Sequence, residues 1–147
     1  MEYPMSYPAN KLKRKTESSL NPVDSQTAAC VTELMNAATS FHKLHLKVEG
    51  LGSFSAHNAL NELYDALPGH ADAIAEGYQG ACEKILQYED FAPRILNNVE
   101  DALSYLREMK LMINGLQEIM PHSEIVNDLD NVKSTINSIK YKLLFLK

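Results

Sequence analysis

Apolar residues return at steps of three and four along four separate stretches of the chain, and nowhere do they alternate. Val31, Leu34, Ala38, Phe41, Leu44 and Val48 form the first row, and Leu60, Leu63, Leu67 and Ile74 the second. Ile95, Val99, Ala102, Leu106, Met109 and Ile113 form the third, and Ile125, Leu129, Val132, Ile136, Ile139 and Leu143 the fourth. Such steps stack side chains on one face of an α-helix, whereas a half-buried strand needs a period of two. An all-α fold follows, and no internal repeat of solenoid length is visible.

The breaks between rows set the expected boundaries. Residues 1–23 carry Pro4, Pro8, Pro22 and a Ser/Thr cluster without an apolar period, which reads as a flexible N-terminal arm. Asp24 or Ser25 is expected to cap a helix over 25–47, with a turn at 48–54 around Gly50 and Gly52. Ser55 can cap the second helix. Pro68 is expected to kink it at the Tyr64 carbonyl, and Gly77 and Gly80 to end it, with a short helix over 81–88. Alternatively, the second helix runs straight through to Tyr88. Pro93 suits the first turn of a third helix reaching Met120, and Ser123 suits the cap of the fourth. A long segment between the second and third helices predicts a ferritin-like four-helix bundle over 24–147 with one crossover.

Composition narrows the class further. At 147 residues the chain can bury one core without staples, and Cys30 and Cys82 are too few for a disulfide framework. No apolar run is long enough to span a membrane, and Met1–Asn10 lacks a signal-peptide core, so a cytoplasmic protein is expected. The net charge of −5 is uneven. Residues 1–20 hold Lys11, Lys13, Arg14 and Lys15 against two acids, a net of +2, while the rest holds ten basic and 17 acidic side chains. A basic arm can contact phosphates, and a solvated tail has the same composition.

Most enzyme signatures are missing from the sequence. It has no glycine-rich phosphate loop, no G-x-S-x-G elbow, no C-x-x-C pair and no Glu-x-x-His pair of the di-iron bundles. What remains is His45, His57, Asp72 and Glu76. The turn between the first two helices brings both imidazoles to one end, and Asp72 and Glu76 share a helical face at i, i+4. Two imidazoles and two carboxylates suit iron or zinc. The same groups also fit helix-end capping and a solvated acidic face. His57 and Asp72 are 15 residues apart, roughly 22 Å along a helix, so one ion cannot bridge them within one chain. An antiparallel pairing of two such helices across a two-fold axis would build two equivalent sites between subunits.

The stretches His45–Gly50, Phe54–His57, Leu63–Leu67 and Asp72–Glu76 resemble the Dps family, the DNA-binding proteins from starved cells or miniferritins. The family's spacing of His, twelve on His, fifteen on Asp and four on Glu is met by His45, His57, Asp72 and Glu76. The resemblance implies that these four residues form an intersubunit ferroxidase centre in a hollow homododecamer. It implies oxidation of Fe(II) by hydrogen peroxide or oxygen, and iron storage inside the shell. It also implies non-specific DNA binding through Lys11, Lys13, Arg14 and Lys15.

The chain departs from the family pattern in several places. Leu46 stands where a tryptophan is usual, Asn61 where a carboxylate is common, and Gly77 where an arginine is usual. These departures keep open a catalytically silent ferritin-like shell, structural or DNA-associating, and a small interaction module without a cage. His42 is expected to be a packing or surface residue and His70 to be exposed. Met109, Met112 and Met120 are expected to fill the core.

Overall fold

The computed structural model describes residues 21–147; Lys11, Lys13, Arg14 and Lys15 lie outside them. Among the described residues the chain is all-helical, with four helices and no strand: α1 (Pro22–His45), α2 (Ser53–Cys82), α3 (Val99–Ile119) and α4 (Ser123–Phe145).

The boundaries follow from local chemistry. Asn21, not Asp24 or Ser25, caps α1: its side chain accepts the Val23 N–H at 2.9 Å and the Asp24 N–H at 3.4 Å. Pro22 then occupies the first helical position, where its missing donor costs nothing. The helix thus starts inside the segment expected to be an arm. Gly50 and Gly52 both have positive φ, 90° and 82°, which lets the α1–α2 turn close, and Gly52 rather than Ser55 sits at the start of α2.

α2 neither stops at Gly77 or Gly80 nor gives way to a short helix over 81–88; it is one helix to Cys82. Leu60, Leu63, Leu67, Ala71, Ile74 and Tyr78 are all buried along its inner face, and that packing outweighs about 1 kcal/mol of helix propensity per glycine. Pro68 lies on its exposed face.

Pro93 does not open α3. Asn98 does, its side chain accepting the Asp101 N–H at 2.8 Å while Asp101 accepts the Asn97 N–H at 2.9 Å. Ile95 is consequently outside the helix and 81% exposed. At α4 the cap position falls on His122, with Ser123 the first helical residue.

The segment over 83–98 is fastened along α1 in order. Lys84 meets Asp24, the Phe91 carbonyl accepts from Asn36, the Arg94 carbonyl from Ser40, and the Leu96 carbonyl from Lys47. It therefore travels the length of α1, with Leu86 and Leu96 turned into the core. α2 and α3 both begin at the end where α1 and α4 finish, since Lys47, Gly52, Asn98 and Lys147 gather around one cleft there. α1 packs on α2 and α3, and α4 packs on the same two.

One core runs through all four helices, with Leu34, Phe41, Leu63, Tyr105, Ile113 and Leu129 fully or almost fully buried. Met109 and Met120 are buried, and Met112 packs against the core. No described helix is long and apolar enough to cross a membrane.

Candidate metal centre

His45 is the last residue of α1 and His57 the fifth of α2. The glycine turn folds them face to face, with ring centroids 3.6 Å apart and planes 18° from parallel. Each ring is anchored to the other residue's backbone: His45 Nδ1 donates to the His57 carbonyl at 2.8 Å, and His57 Nδ1 to the His45 carbonyl at 2.9 Å. A carbonyl only accepts, so both Nδ1 atoms carry the hydrogen and both Nε2 atoms of the neutral rings keep a lone pair. An outer-shell carbonyl that fixes the tautomer is how metal-ligating histidines are prepared. His45 is buried and His57 half-buried.

A second layer surrounds the pair. Tyr64 places its hydroxyl oxygen 3.5 Å from His45 Nε2 and donates to Asn61 Oδ1 at 2.6 Å. Asn61 in turn donates from its amide nitrogen to Asp65 at 2.9 Å. Exposed His42 stacks on Tyr64, with centroids 4.0 Å apart. Tyr64 and Asp65 were not singled out by sequence reasoning, although His57, Asn61 and Tyr64 stand at i, i+4 and i+7, on one face of α2.

Asp72 and Glu76 are not brought to the histidines. They are exposed, one turn apart on α2, and α2 is continuous between His57 and Asp72. Among the described residues no three His, Cys, Asp or Glu side chains are grouped to hold a metal. The imidazole pair thus lies at one end of α2 and the carboxylate pair towards the other.

The opposite end of the molecule holds a polar cluster that the sequence did not announce. Asp24, 2% exposed, accepts from the Tyr78 hydroxyl at 2.5 Å and from Lys84 at 2.6 Å. Burial, and next the bond to Asp24, push the Tyr78 hydroxyl well above the usual phenol range. Cys82 lies 3.6 Å from His122 Nε2. Cys30 is fully buried, and burial, helped by Glu33, pushes its thiol up to about 12. His70, expected to be exposed, is half-buried against Thr135 at 2.9 Å; burial lowers its pKa while Asp128 opposes the shift.

An all-helical protein with a carbonyl-anchored histidine pair is thus the class defined by fold and site. The family described as "Family of unknown function (DUF5856)" matches residues 45–143, and the chain belongs to that family. No curated protein and no solved structure matches the chain.

Proposed function

We propose that this protein is a Dps-like ferroxidase and iron store, with Fe(II) as its substrate. The observation that carries the reading is the reciprocal anchoring of His45 and His57, which holds each ring by Nδ1 on backbone and leaves Nε2 as the nitrogen available to a ligand. Asp72 and Glu76 of a second copy complete the ligand set when two α2 helices pair antiparallel. The path of residues 83–98 along α1 supports a ferritin-like bundle with a crossover, the form that assembles into a shell.

In this reading His45 and His57 hold the ion and the carboxylates offset its charge. Hydrogen peroxide or oxygen accepts the electrons, the product is stored in a homododecamer, and the cell compartment is the cytoplasm. The basic residues of the first twenty add non-specific DNA contact. A second reading, a catalytically silent shell, is favoured by Asn61, a neutral amide already engaged by Tyr64 and Asp65.

Fe(II) titration of the purified protein separates the two. The ferroxidase reading expects iron-dependent consumption of peroxide or oxygen, strongly reduced in both His57→Ala and Asp72→Ala, with an anomalous iron peak between subunits. A particle of twelve subunits by light scattering, oxidising iron no faster than those variants, establishes the silent shell. Monomers without iron oxidation overturn both.

A further inference from the structure

We propose that Tyr64 is an additional iron ligand, binding Fe(III) as a phenolate beside His45; this rests on the reading of His45 and His57 as an iron site.

The geometry concerns two donor atoms. Tyr64 Oη and His45 Nε2 are 3.5 Å apart. Two ligands that each lie about 2.1 Å from one ion are separated by about 3.0 Å at a right angle and about 3.4 Å at a tetrahedral angle. The observed gap fits one ion between them.

The proton inventory points the same way. The neutral tautomer of His45 that donates from Nδ1 to the His57 carbonyl carries no hydrogen at Nε2. Tyr64 has a single hydroxyl hydrogen, and Asn61 Oδ1 receives it at 2.6 Å. The Asn61 amide cannot be turned round without loss, because its nitrogen donates to the Asp65 carboxylate at 2.9 Å. A nitrogen lone pair and an oxygen lone pair therefore face each other with no hydrogen between them, an arrangement that a cation relieves. The Tyr64 ring is already positioned, stacked on His42 with planes 13° apart and edge-on to His45 at 5.1 Å. It is also half-buried, so the hydroxyl does not need an opened core to be reached.

The chemistry balances with peroxide as the oxidant. Two Fe(II) reduce one hydrogen peroxide to two hydroxide ions and become two Fe(III). The Tyr64 O–H bond breaks, its proton combines with one hydroxide to give water, and the phenolate oxygen bonds to Fe(III). Asn61, no longer receiving that hydrogen, turns its amide nitrogen to the phenolate at the cost of its Asp65 contact. A hard anionic oxygen discriminates in favour of Fe(III), so Tyr64 acts on the oxidised ion more than on Fe(II).

The test loads full-length protein with Fe(II) without oxygen, then adds half a molar equivalent of hydrogen peroxide. Wild type should develop a visible phenolate-to-Fe(III) charge-transfer band with phenolate modes in its resonance Raman spectrum. Tyr64→Phe should lose both, while anaerobic Fe(II) affinity falls by no more than about tenfold. His45→Gln, checked for native circular dichroism, should lose the band and the Fe(II) binding together. Wild type that binds and oxidises iron without the band, or Tyr64→Phe that keeps it, overturns the Tyr64 assignment and leaves the histidine site standing. Fe(II) binding unchanged in His45→Gln overturns the histidine site itself, and the Tyr64 assignment with it.

Discussion

His45 and His57 are related almost symmetrically, each ring donating from Nδ1 to the other's main-chain carbonyl across the α1–α2 turn. Because the acceptors are backbone atoms, truncating one ring leaves the other ring's hydrogen bond in place. His45→Ala or His57→Ala should therefore each cost about 1 kcal/mol for one lost bond, with His45→Ala the more damaging because it is buried. Coupling in the double-mutant cycle comes only from ring stacking and should stay below about 1 kcal/mol. Urea denaturation of the four proteins measures it. A coupling of several kcal/mol would show that the rings depend on each other for their tautomers.

Asp24 should matter more to stability than either histidine. It is nearly inaccessible and holds both the Tyr78 hydroxyl and the Lys84 ammonium. Asp24→Ala strands the Tyr78 hydroxyl and should cost about 3 kcal/mol. Lys84→Ala should cost less, about 1 kcal/mol, because the Lys84 side chain is 36% exposed and solvent replaces part of the interaction. Thermal or urea unfolding of the two variants tests the order. Since Lys84 stands near the start of the 83–98 segment, hydrogen exchange of the Leu86 amide, which donates to Gln79 Oε1 at 3.0 Å, should also quicken in Lys84→Ala.

What the sequence revealed and what it hid divide along physical lines. The four helices were legible because burial repeats at the helical period, and the histidine pair was legible because a glycine turn is local. Helix ends were misread where two local rules competed. Pro93 is a good first-turn residue, yet Asn98 and Asp101 satisfy more orphan N–H groups, so α3 starts later. Glycines at 77 and 80 looked like a stop, but an inner face that stays buried through Tyr78 carries α2 past them. Asp24 read as a surface cap because its partners are 54 and 60 residues away, and pairing at that distance leaves no trace in periodicity. Tyr64 was passed over although it shares a helical face with His57 and Asn61, because what it does depends on where its hydroxyl points, which spacing does not encode.

The two thiols should behave oppositely. Cys30 is fully buried with its pKa raised from 9.0 to about 12, while Cys82 is partly accessible. A disulfide-exchange reagent at neutral pH should label one thiol per chain in the native state and two after denaturation. The linkage has a definite sign. The folded pKa of Cys30 lies above the unfolded one, so its contribution is whole below pH 9 and is lost as pH rises from about 9 to about 12. Stability should fall there by up to about 1.4 kcal/mol per pH unit from this group. Tyr78 and Tyr105, raised chiefly by burial, steepen the fall at higher pH. Cys30→Ala should remove one proton's worth of the slope between pH 9 and 10. An unchanged slope would mean that the thiol is not buried in solution.

The three glycines of α2 offer a comparison in which packing decides the sign. A Cβ at Gly69 or Gly80 meets nothing within 4 Å, so alanine there should stabilise α2 by about 0.5–1 kcal/mol through helix propensity. At Gly77 the same Cβ would stand 2.8 Å from Ile125 Cδ1, and Ile125 is fully buried between α2 and α4. Moving that methyl costs about 1–3 kcal/mol, which exceeds the propensity gain, so Gly77→Ala should be net destabilising by about 1 kcal/mol. Melting temperatures of the three variants test this. Equal stabilisation at all three would show that the α2–α4 contact at Ile125 is loose. A side chain larger than alanine at Gly77 would press further on Ile125 and Asp128 of α4.

The basic residues near the start of the chain make a prediction that salt dependence can isolate. Lys11, Lys13, Arg14 and Lys15 are four cations, whereas the remainder of the chain holds ten basic against 17 acidic side chains and repels phosphate on balance. If the four contact duplex DNA, each copy engaged should contribute a slope of about −3.6 to log K against log salt. Copies held together in one particle would act multivalently, so assembly would strengthen any retardation of DNA at low salt. Deleting residues 1–20, or changing all four cations to glutamine, should abolish the mobility shift and flatten the salt slope. A shift that survives the deletion with the same slope would place the DNA contact on the helical body instead.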